Sequence, residues 1–183
     1  MVIRKYQKDD REEVVNICIS QSTCKKNEKN NQIICNLFLN YYLDYEPEHI
    51  FVAEINNEIC GYIVASAKNE LFTLKMHSEY IQKTAKIDKF MSHIGRKIIK
   101  INNTEDKNGG FNFHINVKKG YEKQGIGKAL MQAMQYHMKQ IGKKYMYLVT
   151  RNRATDGYKF YSHIGFVEKQ IYYYGGVLMV KNI

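Results

Sequence analysis

The stretch that decides the fold is Tyr121-Glu122-Lys123-Gln124-Gly125-Ile126-Gly127-Lys128, YEKQGIGK. Before it lies FNFHINV, residues 111–117, where Phe111, Phe113, Ile115 and Val117 alternate with Asn112, His114 and Asn116. A period of two predicts a strand. After it, Ile126, Leu130, Ala133, Met134, His137 and Ile141 recur at helical spacing up to Gly142-Lys143-Lys144, which predicts a helix over 124–141. Two glycines therefore sit at a strand-to-helix turn, among lysines. The first N–H groups of a helix have no intrahelical acceptor and lie at the positive end of its dipole. Such a turn can hold an anion, and glycine lets a bulky phosphate touch the backbone. Two familiar phosphate loops fit poorly. Gly120 and Gly125 have the spacing of GxxxxGK[ST], but Ile126 stands where the lysine belongs; Gly125-Ile126-Gly127 opens a GxGxxG pattern, but Leu130 takes the third glycine's place.

Working outward, VIRKY (2–6) reads as a strand, and Asp9 or Asp10 can cap a helix that carries Val14, Ile17 and Cys18. A helix is expected over 32–43. Residues 50–55 and 58–67 read as a hairpin around Asn56-Asn57. Toward the C-terminus come a strand at 145–150, a short helix near 155–164, and a closing hairpin of 166–174 with 177–183. This order predicts a single domain over 1–183, of α/β (α+β) class, on a mixed sheet. Between hairpin and central strand lies a helical insert at about 68–108. Its Ile87, Phe90, Met91, Ile94, Ile98 and Ile99 suit one helix face.

With 183 residues, 44% hydrophobic and 25% charged, the chain has the make-up of a soluble globule. The net charge of +10 favours anionic partners, yet no lysine run is long enough for a nucleic-acid arm, and no nucleic-acid partner is expected. No apolar run approaches a membrane span, and MVIRKYQKDDREE is too charged for a signal peptide, so a cytoplasmic location without membrane contact is expected. Cys18, Cys24, Cys35 and Cys60 form no CxxC pair, and the six histidines no HExxH; reduced thiols and no metal are expected.

VKKGYEKQGIGKALM, after a strand and before a helix, resembles the acetyl-CoA signature of the GNAT superfamily of N-acetyltransferases. That signature is Gln or Arg, two residues, Gly, one residue, then Gly or Ala. It is matched at Gly125 and Gly127, while Glu122 departs from the Gln or Arg. ATDGYKFYSHIGF (154–166) resembles the family's late motif, with Phe160-Tyr161 as the aromatic pair and Gly165-Phe166 as the stop. Gly157 stands where Ala is common and Ala154 where Asn is common; Asn152, two residues earlier, is the candidate substitute. The likeness is strong over 111–166 and consistent in element order over 1–67.

The resemblance implies a mostly antiparallel sheet flanked by helices, and an acetyl-CoA-dependent N-acetyltransferase. Acetyl-CoA is the co-substrate, and a primary amine of a small molecule or peptide attacks it directly in a ternary complex. Ile115, Asn116 and Val117 would lend backbone groups to the pantetheine arm, in a splayed gap between strands 111–117 and 145–150. The N–H groups of Glu122, Lys123, Gln124, Gly125, Ile126 and Gly127 would cradle the diphosphate, with Lys128 at the helix start. Tyr161 is the matching general acid. The alternative is a non-catalytic acyl-CoA-binding sensor of the same fold.

A base for the amine is read from the residues themselves. His114 shares a strand face with Asn116 and titrates near neutrality; Glu54 on strand 50–55 could act through water. The plainer readings are a hydrogen-bonded core histidine and a solvent-facing carboxylate. Cys60 reads as a buried thiol, and Met131, Met134 and Met138 as helix packing. The insert is expected to flank the acceptor entrance, or else to form a homodimer contact.

Overall fold

The computed structural model describes residues 1–22, 24–173 and 175–183. Seven strands form one open sheet: β1 (Val2–Lys5), β2 (Ile50–Ile55), β3 (Glu58–Ala65), β4 (Gly110–Val117), β5 (Tyr145–Thr150), β6 (Val167–Ile171) and β7 (Val177–Asn182). Their spatial order is β1-β2-β3-β4-β5-β7-β6, with β4 and β5 parallel and every other pair antiparallel. The β2–β3 hairpin turns through Asn56 and Asn57, both at positive φ (51° and 63°), as asparagine tolerates. The strand expected over 166–174 stops at Ile171; Tyr174 lies outside the described residues.

The helices are α1 (Arg11–Ser20), α2 (Glu28–Phe38), α3 (Asn40–Tyr45), α4 (Asn69–Lys75), α5 (Ile81–Ile87), α6 (Lys89–Lys107), α7 (Ile126–Gln140) and α8 (Asp156–His163). Side chains cap three of them. Asn27 accepts from Asn30 N–H at 2.9 Å, Asp88 from Met91 N–H at 3.0 Å, and Thr155 from Tyr158 N–H at 3.2 Å. The single helix expected over 32–43 is two helices, because Leu39 leaves helical angles (φ −137°, ψ −51°). None of the described helices is long and apolar enough to cross a membrane.

The sheet divides two apolar layers. On one face Tyr62, Val64 and Val52 pack with α1, α2 and the insert; on the other Phe111, Phe113 and Ile63 pack with α7. The insert is a layer of the core, since Phe72, Met76, Tyr80, Ile81 and Ile99 are all buried. Its tie at the start is Glu46, a fully buried carboxylate. It accepts from the Tyr41 and Ser66 hydroxyls (2.6 Å each) and from the Ala67 and Lys68 N–H groups (2.7 and 3.2 Å).

The buried face of α6 differs from the apolar stripe expected of it. Ser92, Gly95, Ile99, Asn102 and Glu105 point inward, while Phe90 is 70% exposed. A Cβ on Gly95 would lie 2.3 Å from Ile81 Cδ1 and 2.8 Å from Leu37 Cδ2, so a bare backbone is what lets α6 close on α5 and α2. Farther along, polar groups meet the sheet. The Tyr145 hydroxyl and Lys169 Nζ donate to Glu105 Oε2 at 2.9 and 2.6 Å, and the Tyr147 hydroxyl donates to Asp106 at 3.0 Å.

Burial pushes the Asp106 carboxyl up to about 7, against the Tyr147 hydroxyl, which favours the ionised form. Its ordinary value is 3.8. Between these values the folded chain binds more protons than the unfolded chain, so this group's contribution falls as pH rises and its full penalty stands above pH 7. Asp106→Asn keeps an acceptor for Tyr147 and removes the charge. It should gain about 2–4 kcal/mol over the parent at pH 8 and little at pH 4.5. Urea denaturation at the two pH values measures the difference; an equal effect at both would contradict it.

Candidate functional site

The backbone hydrogen bonds of β4 fix which of its groups are free. Ser66 N–H donates to the Asn112 carbonyl (3.4 Å) and Lys118 N–H to the Cys60 carbonyl (2.8 Å). Even-numbered backbone groups of β4 therefore face β3, and odd-numbered ones face away. On that far side the pairing with β5 covers only Gly110↔Tyr145, Phe111↔Met146 and Asn112↔Tyr147. Beyond it, the Phe113 carbonyl and the N–H and C=O groups of Ile115 and Val117 line a gap in the middle of the sheet. On the opposite rim, Ile183 N–H donates to the Lys144 carbonyl (3.1 Å), so even-numbered groups of β5 face β7 and those of Val149 face the gap. Of the three strand residues expected to lend backbone groups, Ile115 and Val117 face the gap. Asn116 spends its backbone on Tyr62 of β3 and brings only its side chain.

The gap opens toward the start of α7. There the chain turns through Gly120, Lys123 and Gly125, at φ +92°, +62° and +81°. Turns of this hand leave successive N–H groups pointing into one concavity. Unlike its capped counterparts, α7 has no side-chain cap. Ala129 N–H reaches the Gly125 carbonyl at 3.0 Å, and no acceptor among the described residues meets the N–H groups of Ile126, Gly127 and Lys128. α7 comes this close to the sheet because β3 has Gly61 beneath it, where a Cβ would lie 3.2 Å from Ile126 Cγ2.

The two signature glycines do different things. A Cβ on Gly125 would meet nothing within 4 Å, so its need for glycine is its positive φ. A Cβ on Gly127 would lie 3.1 Å from Phe160 Cζ, so its bare backbone serves the contact of α7 with α8. Glu122, Lys123, Gln124 and Lys128 are exposed around the turn. The Glu122 carboxylate accepts from Gly120 N–H at 2.6 Å and so folds back on the loop; Gln124 Nε2 donates to the Gly120 carbonyl at 3.4 Å. Glu58 pins the loop from outside, accepting from Tyr121 Oη (2.7 Å) and Lys118 Nζ (2.6 Å).

Tyr161 on α8 lies against Phe113, with ring centroids 5.9 Å apart, and against Phe166 at 5.4 Å. It is half-buried, and burial pushes its phenol above the usual tyrosine range. Asn152 is exposed in the loop between β5 and α8, where its side chain accepts from Ala154 N–H at 2.9 Å. His114 and Asn116 share the opposite face of β4. The His114 ring stacks on Phe38 of α2 (5.5 Å, 27°), and burial holds its pKa down to about 4. Glu54 sits two strands from β4 and accepts from Arg4 Nε at 2.8 Å; Arg4 also holds Asp10.

One member of this cluster carried no sequence signal. Tyr62, one of fifteen tyrosines, is fully buried on β3, and its hydroxyl meets Asn116 Nδ2 at 3.0 Å. Only the β3–β4 register, which no local pattern encodes, brings the two together. A separate cavity of about 720 Å³ lies between α1, α2 and α5, with no lining residue from β4, β5 or α7. Among the described residues no group of three His, Cys, Asp or Glu side chains could hold a metal ion.

No curated protein sequence matches the chain. Solved structures do. The crystal structure of SsHAT matches with a TM-score of 0.82 at 19% identity, over 99% of this chain and 97% of that one. An agmatine N-acetyltransferase variant in its apo form gives 0.70 at 13% identity, over 100% and 99%. The ribosomal-protein-alanine N-acetyltransferase from Brucella melitensis gives 0.62 at 13% identity, over the full length of both chains. At these identities the likeness is one of fold. The profile of the acetyltransferase (GNAT) family matches residues 13–166, which takes in most of α1, the insert, the split between β4 and β5, the glycine turn and α8. The chain belongs to the acetyltransferase (GNAT) family.

Proposed function

We propose that this chain moves an acetyl group from acetyl-CoA to a primary amine of a small molecule or peptide, the amine attacking while both are bound. The observation that carries this reading is the register: β4 leaves β5 after Asn112 and Tyr147, just where an uncapped helix N-terminus follows in the chain. Acetyl-CoA supplies an activated acyl group on a long amide-bearing arm that ends in a diphosphate. The turn at 120–127 and the first N–H groups of α7 suit the diphosphate, with Lys123 and Lys128 adding positive charge. The gap-facing backbone of Ile115 and Val117 suits the amides of the arm, and an N–H there can polarise a thioester carbonyl. Glu122 weakens this fit, since it brings a carboxylate to the loop that would hold the phosphates.

A departing thiolate needs a proton. Tyr161 sits on the α7 side of the gap, against Phe113, and burial keeps its phenol protonated throughout the neutral range. It suits the role of general acid. The neighbours' names show how widely acceptors vary on this fold, from agmatine to the alanine of a ribosomal protein.

Four measurements test the reading. Acetyl-CoA at one hundred times its dissociation constant should add about 2.7 kcal/mol of apparent stability, with ATP and NAD as controls. CoA thiol release across an amine panel should find an acceptor; binding without release from any amine would favour the sensor. Tyr161→Phe should lower kcat by roughly 10²–10⁴-fold and leave the acetyl-CoA melting shift intact. Unchanged turnover would return Tyr161 to the core. Glu122→Gln should tighten acetyl-CoA about two- to five-fold at low salt and less at high salt. Weaker binding would mean that the loop needs the carboxylate.

A further inference from the structure

The side chains of His114, Asn116 and Tyr62 form one hydrogen-bonded group on the face of the sheet opposite Tyr161. Asn116 Nδ2 donates to the Tyr62 hydroxyl at 3.0 Å and lies 3.1 Å from His114 Nε2. An amide nitrogen has two hydrogens, and both are spent here. The Tyr62 hydroxyl oxygen is the acceptor toward Asn116. His114 Nε2 then accepts, and its ring proton sits on Nδ1.

One atom of the group remains. Asn116 Oδ1 has no partner among the described residues. The sealed, unpaired side-chain atoms are Thr84 Oγ1, Asn102 Nδ2 and Asn112 Oδ1, so Asn116 Oδ1 is open to solvent. Asn116 stands between Ile115 and Val117 along β4, and the backbones of those two line the gap. We propose that Asn116 Oδ1 receives an N–H of the acceptor amine, and that His114 and Tyr62 are positioning residues that hold the amide with its oxygen outward. The proposal rests on the transferase reading above.

The arrangement assigns His114 a part other than base. Its Nε2 lone pair is already occupied by Asn116. The groups that face the ring are Phe38 from α2, Tyr62 from β3 and Asn116 from its own strand, and none carries a charge at neutral pH. A neutral amide oxygen beside the gap suits an amine that arrives already deprotonated. The dependence of kcat/KM on pH should then follow the acceptor's own pKa. For a peptide α-amine that is about 8, and for an aliphatic ε-amine about 10.4.

Four measurements on the full chain decide this. Asn116→Ala should raise the acceptor KM about three- to ten-fold, the worth of one neutral hydrogen bond, and keep the acetyl-CoA melting shift. His114→Phe keeps the stack on Phe38 and removes the acceptor for Asn116; it should also raise KM and leave the pH inflection at the acceptor's pKa. Two acceptors of different pKa should give two inflections. Side-chain nitrogen NMR of the unliganded protein should find His114 with its proton on Nδ1. A wild-type acceptor KM in Asn116→Ala, an inflection lost in His114→Phe, or a proton on Nε2 would each overturn the proposal while leaving the transferase reading standing. Wild-type protein that releases no thiol with any amine would overturn both.

Discussion

Everything at the candidate site depends on β4 parting from β5 after three residue pairs. A strand edge left open inside a sheet holds unpaired N–H and C=O groups, which must find water or a ligand. This protein holds the two strands together at one end and apart at the other. At the paired end α6 clamps the sheet from behind, through Glu105 and Asp106 on Tyr145, Tyr147 and Lys169. At the open end α7 packs down over Gly61, and Phe113, Tyr161 and Phe166 fill the space beneath. The insert thus bears on the gap by gripping its hinge, and its buried residues are part of the protein's core.

The split divides the proposed chemistry between two faces. Tyr161 approaches from the α7 side, in an apolar setting that keeps a phenol protonated. His114 and Asn116 stand on the α1 and α2 side, where an uncharged imidazole can hold an amide by one hydrogen bond. Proton donor and acceptor amine need not compete for one side of a thioester lying between them. Glu54 has no part in either group, being engaged with Arg4 two strands away.

Local pattern carried most of the fold. The alternation over 111–117, the glycine turn and the helix after it lie within about thirty residues, and the structure keeps their boundaries to within two. A mixed sheet also followed from element order, and its mostly antiparallel pairing from the family resemblance. Side-chain partners distant in sequence were not legible. The apolar stripe of α6 was misread because its buried face is made of Ser92, Gly95, Asn102 and Glu105, whose partners stand on α2, α5 and strands forty residues onward. Gly127 was read toward phosphate, whereas its bare side meets Phe160, thirty-three residues later. The break at Leu39 has no proline or glycine to announce it.

The central claim is that alternate backbone groups of β4 serve β3 and a ligand in the gap. Residue-resolved amide hydrogen exchange tests it directly. In the free protein His114 and Asn116 should exchange slowly, while Ile115 and Val117 exchange fast. Acetyl-CoA should slow Ile115 and Val117 and leave His114 and Asn116 as they were. Equal protection of all four groups in the free protein, or no change at Ile115 and Val117 with acetyl-CoA bound, would contradict it.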